Sequence, residues 1–150
     1  MNFEAEKERY ISFCGSYCHR CDWFTGKIRD TFGLALSMLD DYGFGRLLDG
    51  KVDKDNFRKG LEIIANSGIC PGCKAEIAED PAQDRCAIRQ CCFRKGLSLC
   101  GECAEFPCEQ LKNNPGVIKF GCIENLREIA DKGVEFFVRR QWQSEPARSS

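Results

Sequence analysis

Apolar residues recur at helical spacing through most of this chain. Trp23, Phe24, Ile28, Phe32, Ala35, Leu36 and Leu39 predict one amphipathic helix running from just after Cys21 to about Asp40. Gly43, Gly45 and Gly50 mark a loop. Asp53 then suits the cap of a second helix carrying Phe57, Leu61 and Ile64 and ending near Gly68. A third helix is expected from about Cys86 to Lys95, with Gly96 as its stop. Pro107 fits the first turn of a fourth, through Leu111. Cys122, Leu126, Ile129 and Ala130 form the stripe of a fifth that stops at Gly133, and Val134, Phe137, Val138 and Trp142 continue in a last short helix. Only Val117 to Phe120 reads as a strand. Ser144 to Ser150 is polar, contains Pro146, and reads as a frayed tail.

At 150 residues the chain has the size of a single domain able to bury a core, placed at residues 1–143 with a flexible tail at 144–150. Its charges nearly cancel, 22 basic against 23 acidic, which argues against a nucleic-acid or membrane partner. Cysteine alters the picture: there are twelve. Met1 to Phe13 is rich in charge and has no apolar run, so no secretory signal is expected there. No stretch approaches the length of a membrane span. The expected location is therefore cytoplasmic, where thiols stay reduced and clustered thiols serve as ligands more often than as disulfides.

The cysteines are grouped. Cys14, Cys18 and Cys21 form a C-x3-C-x2-C triplet, and Cys70-Pro71-Gly72-Cys73 and Cys100-Gly101-Glu102-Cys103 are C-x2-C pairs. Cys86, Cys91 and Cys92 lie between the pairs, Cys108 follows the second, and Cys122 stands apart. A C-x2-C turn folds back so that both sulfurs reach one tetrahedral ion about 2.3 Å away. Pro71-Gly72 is a good turn pair. On a helix that already included Cys86, Cys86 and Cys91 would point about 140° apart, so they could share an ion only if the helix begins after Cys86. Cys92 and Cys122 fall on apolar helical stripes and read as small buried hydrophobes. His19, the only histidine, is expected to point outward from its turn. The fold class that follows is mainly α: a small helical domain with irregular cysteine-rich metal-binding loops.

The segments Cys14-Gly15-Ser16-Tyr17-Cys18-His19-Arg20-Cys21, Cys70-Pro71-Gly72-Cys73, Cys86-Ala87-Ile88-Arg89-Gln90-Cys91 and Cys100-Gly101-Glu102-Cys103-Ala104-Glu105-Phe106-Pro107-Cys108 carry a resemblance. Over about residues 13 to 142 the chain resembles a cysteine-rich prokaryotic family, domain of unknown function 3795. The resemblance implies metal binding, with no established reaction. Ten cysteines match the family pattern: Cys14, Cys18, Cys21, Cys70, Cys73, Cys86, Cys91, Cys100, Cys103 and Cys108.

Thiols in abundance beside one histidine suit closed four-cysteine zinc sites better than open catalytic ones. The leading expectation is a non-enzymatic zinc module with a protein partner. An iron–sulfur cluster is the alternative, since C-x3-C-x2-C is the spacing that radical S-adenosylmethionine enzymes use, though the chain is too short for their barrel. Zinc-dependent nucleic-acid binding is a further alternative. Arg85, Arg89, Arg94 and Lys95 would serve it, but these charges are read first as balancing nearby thiolates.

Overall fold

The computed structural model describes residues 1–75 and 86–144. Arg85 and the expected tail beyond Ser144 lie outside the described residues. The chain divides into two compact units, Cys21–Cys70 and the combination of Met1–Arg20 with Pro71–Ser150. Among the described residues the structure is mostly helical and has no strand beyond a single bridge between Ile11 and Tyr17. None of these helices is long and apolar enough to cross a membrane.

Helix α1 (Phe3–Tyr10) opens the discontinuous unit. The Asn2 side chain caps it by accepting from the Ala5 amide at 3.1 Å, and its acids and bases are ordered along the helix dipole. The apolar pattern did not announce this helix. It carries too few apolar residues for a stripe, and its end charges and cap define it instead.

The continuous unit holds α2 (Lys27–Tyr42), α3 (Gly45–Leu48) and α4 (Lys54–Ala65). Helix α2 ends at Gly43, where φ is +67° and the amide donates to Leu39 at 2.8 Å. Asp53 caps α4 as the sequence suggests, accepting from the Asn56 amide at 3.0 Å. α2 and α4 pack on each other, and Arg58 clasps the Asp40 carboxylate through two hydrogen bonds of 2.8 and 2.9 Å. Leu39 and Leu61 are the buried hydrophobes of this unit. Met38, Phe44, Leu47 and Phe57 stay exposed around an open groove of about 310 Å³.

The discontinuous unit continues with α5 (Ala87–Lys95), α6 (Glu109–Lys112), α7 (Pro115–Lys119) and α8 (Cys122–Gln143). Two expectations need correction. Val117 to Phe120 is not a strand: Asn114 accepts from the Gly116 and Val117 amides at 3.0 and 3.1 Å, and Pro115 presets the first turn of α7. A short apolar run carries no period of its own, so the cap decides. Helix α6 starts at Glu109 rather than at Pro107. The break at Gly133 is present, with φ +86° and ψ 164° separating the two arms of α8.

Ile11, Leu111, Leu126, Phe137 and Val138 are almost wholly buried and form the core of this unit. Each such side chain contributes roughly 1.5–3 kcal/mol by leaving water. The loop before Cys18 is held onto α8 by Asn125, whose amide donates to the Gly15 carbonyl at 3.0 Å. It is held to the second C-x2-C turn by the Cys100 amide, which donates to the Phe13 carbonyl at 2.8 Å. These two bonds place three cysteine-bearing segments side by side.

Candidate metal centre

Helix α5 begins after Cys86, the condition that frees Cys86 from the helical phase of Cys91. Cys86 is the N-cap, its sulfur accepting from the Arg89 amide at 3.5 Å. Gly96 ends α5 with φ +65°, and the Leu97 amide returns to the Cys92 carbonyl at 2.9 Å. The chain therefore doubles back, bringing Cys100 and Cys103 alongside Cys91 and Cys92. The Cys103 amide closes the C-x2-C turn on the Cys100 carbonyl at 3.1 Å. The Glu102 carboxylate steadies that turn by accepting from Ser98 and Leu99 amides at 3.0 and 3.3 Å and by pairing with Lys7 at 2.8 Å.

Five sulfurs, those of Cys91, Cys92, Cys100, Cys103 and Cys108, line one cavity of about 30 Å³. Ile88, Leu97, Phe106 and Leu111 supply its apolar wall. Among the described residues the cation lining the cavity is Lys95, whose ammonium lies 3.4 Å from the Cys103 sulfur and 2.6 Å from Glu105. Its hydrogen bonds to Glu105, first, and to the Cys103 sulfur hold the ammonium charged well above the usual lysine range. Cys92 and Cys100 meet sulfur to sulfur at 3.2 Å. That hydrogen bond, seconded by burial, pushes the Cys100 thiol up, while the same bond holds Cys92 down.

Cys14 sits in a second nest of donors. Its strongest partner is the Cys122 thiol, followed by Ser12 Oγ at 3.2 Å and the amide and hydroxyl of Ser16. Together they bring the Cys14 thiol down from 9.0 to about 5 against the opposing effect of burial. Cys122 is pushed the other way, by its bond to Cys14 and by burial. Gly15 makes this approach possible. Its φ is +98°, and a Cβ there would lie 2.7 Å from both the Cys122 carbonyl oxygen and Leu126 Cγ.

Cys18 is buried in the tight turn Cys18–Arg20, and Cys73, half-buried, accepts from Arg89 Nη1 at 3.3 Å through its carbonyl. Cys21 and Cys70 end the continuous unit, where the Cys70 amide donates to the Trp23 carbonyl at 3.4 Å. Cys92 and Cys122 are buried to 2 % and 1 % exposure as their stripes predict, yet each touches the sulfur of a family-matched cysteine. His19 departs from expectation. Rather than pointing outward, it is half-buried against the rings of Tyr10, Tyr17 and Trp142, with Glu6 3.7 Å from Nε2. Aromatic packing governs its placement here, and an outward-facing turn position does not. Of the basic group, Lys95 does face a thiol, while Arg94 is exposed.

Among the described residues no three histidine, cysteine or acidic side chains already converge on one point fit for an ion. The donor chemistry is nonetheless selective. A cavity lined by five cysteines and hydrocarbon, with Lys95 and Gln110 but no carboxylate or imidazole among its described lining, suits a thiophilic metal better than magnesium or calcium. Ser12 and Ser16 were missed by sequence reasoning. Their positions two residues either side of Cys14 were the available signal.

No curated protein and no solved structure matches the chain. A family profile does match, over residues 10–113, and it spans the triplet, both C-x2-C turns and the thiol-lined cavity. The chain therefore belongs to the family described as protein of unknown function (DUF3795).

Proposed function

We propose that this protein is a small cytoplasmic zinc-binding module with structural four-cysteine coordination and a protein partner. The observation that supports the reading is that Cys91, Cys100, Cys103 and Cys108 all line one small, mainly apolar cavity. These four thiols would hold one ion. Zinc in such a closed site supplies cross-linking rather than a reacting water. It would tie α5 to the turn at Cys100–Glu102 and to the start of α6, three short segments with little regular structure between them. A four-thiolate zinc site carries a charge of about minus two, and Lys95 beside Cys103 offsets part of it.

A protein partner is supported by the groove of the continuous unit, where Met38, Phe44, Leu47 and Phe57 expose apolar surface beyond what scattered residues produce. Elemental analysis of protein purified without oxygen, with a visible spectrum of the same sample, tests the metal assignment. Colourless protein with stoichiometric zinc is expected. A charge-transfer band accompanied by iron and sulfide would replace zinc with an iron–sulfur cluster on the same thiols.

A further inference from the structure

Cys92 is not among the ten cysteines that match the family pattern, and packing alone does not account for its surroundings. Its sulfur lies 3.2 Å from Cys100 Sγ, in the buried core, and both sulfurs line the same 30 Å³ cavity. We propose that Cys92 and Cys100 form a reversible dithiol–disulfide couple, oxidised by hydrogen peroxide.

The geometry supports this in three ways. Closing the contact to a bond of about 2.05 Å moves the sulfurs little more than 1 Å, within reach of side-chain rotation. The eight-residue separation is spanned by a chain that already doubles back at Gly96, whose φ of +65° sets the reversal. The cavity provides space for an oxidant about the size of water or hydrogen peroxide and excludes a bulky, charged disulfide such as oxidised glutathione. A carboxylate-bearing tripeptide cannot enter a pocket walled by Ile88, Leu97, Phe106 and Leu111.

The chemistry balances with the peroxide as sole oxidant. One sulfur of the pair attacks a peroxide oxygen, the O–O bond breaks, and the hydroxide released takes the thiol proton to leave as water. The sulfenic acid so formed is attacked by the second sulfur. Its S–O bond breaks, the new S–S bond forms, and the second thiol proton departs with the hydroxyl as another water. Two thiols and one hydrogen peroxide give one disulfide and two waters. Reduction by a small dithiol reverses the change.

The inference does not require a bound metal, although an ion held by Cys100 would lose a ligand on oxidation. The test uses the full chain as isolated under reducing conditions, with metal content measured on each sample. After hydrogen peroxide, remaining thiols are alkylated under denaturing conditions and the protein is digested without reduction. Trypsin cuts after Arg89, Arg94, Lys95 and Lys112, so a Cys92–Cys100 bond joins the peptides 90–94 and 96–112. That cross-link is expected, with fragment sequencing placing it on Cys92 rather than Cys91 and on Cys100 rather than Cys103. It should disappear in Cys92→Ser and in Cys100→Ser, persist in Cys91→Ser, and fail to form with oxidised glutathione. A cross-link mapping to Cys91 or Cys103, or Cys92 and Cys100 still alkylatable after other cysteines have oxidised, overturns the proposal. Fragment sequencing of the wild-type cross-link decides the matter even if a variant fails to fold. Zinc absent from the starting sample would count against the metal reading alone.

Discussion

Replacing Gly15 by alanine should be among the most damaging single-methyl changes in the chain. The added Cβ would stand 2.7 Å from the Cys122 carbonyl oxygen, a backbone atom that cannot rotate away, and 2.7 Å from Leu126 Cγ. Leu126 is 1 % exposed and part of the packed core. Over-packing of this kind costs about 1–3 kcal/mol. A non-glycine residue at φ +98° adds strain of order 1–3 kcal/mol. The stiffer unfolded chain returns about 0.4–1 kcal/mol. A net loss of about 3 kcal/mol is expected, a large part of the 5–15 kcal/mol that holds a typical domain. Gly121→Ala supplies the control in the same unit. It has φ +60° but a Cβ there would meet only the Glu124 carboxylate, at 3.8 Å, so only the left-handed strain of about 1–2 kcal/mol applies. Urea unfolding followed by Trp142 fluorescence, in a Trp23→Phe background so that one unit reports, measures both. If the two variants lose the same stability to within about 0.5 kcal/mol, the close approach of the Cys14 loop to α8 is not what fixes Gly15.

Three further outcomes are expected. The Cys14–Cys122 pair should make stability depend on pH: with the Cys14 thiol lowered from 9.0 to about 5, its contribution is full near pH 9 and is lost as pH falls through 5. Cys122 is raised, so it keeps its proton while the unfolded chain loses one, and stability should fall again above pH 9; a flat urea midpoint between pH 5 and 9 in metal-free protein would contradict this pairing. Cys103→Ser or Cys108→Ser should lower bound zinc by one equivalent, whereas Cys122→Ala should leave it unchanged, as read by elemental analysis. Chelation under reducing conditions should strip hydrogen-exchange protection from α5 and α6, of nine and four residues, while α2 and α4 keep theirs; persistence in α5 of the fully metal-free protein would show that the ion is not its scaffold.

The helices with a wide apolar stripe or a strong cap were legible in the sequence. Those from Lys27 to Tyr42 and from Lys54 to Ala65, and the two arms about Gly133, follow from spacing, Asp53 and a glycine. Phe3–Tyr10 was not, because its apolar residues are few and the Asn2 cap lies at the chain's start. The division at Cys21 and Cys70 was not legible either: Ser67, Gly68, Pro71 and Gly72 flank the second boundary but equally suit a helix stop and a C-x2-C turn, and nothing comparable marks Cys21. At the site, the grouping of Cys100, Cys103 and Cys108 was visible as spacing. Their meeting with Cys91 was not, because it depends on the reversal after Gly96 and on Phe13, which is far from them in sequence.

Cys92 and Cys122 show why a helical stripe identifies burial but not purpose. On α5, Ile88 and Cys92 share the inward face, and on α8 Cys122 begins the face continued by Leu126 and Ile129. A valine or alanine would satisfy those patterns equally. What the pattern omits is the partner across the interface, which for both residues is another cysteine: Cys100 for Cys92, Cys14 for Cys122. A buried thiol against hydrocarbon only packs; against a second sulfur it also hydrogen-bonds, which lowers one thiol of each pair and raises the other. Replacing Cys92 with alanine and replacing Cys92 with serine therefore separate the two contributions. Alanine removes both sulfur and hydrogen bond, whereas serine restores a donor and acceptor in less volume. If packing alone matters, serine should be the worse of the two, because it buries a hydroxyl in place of a methyl. If the bond to Cys100 matters, serine should hold Cys100 protonated to higher pH than alanine does, as read from thiolate absorbance of the folded protein.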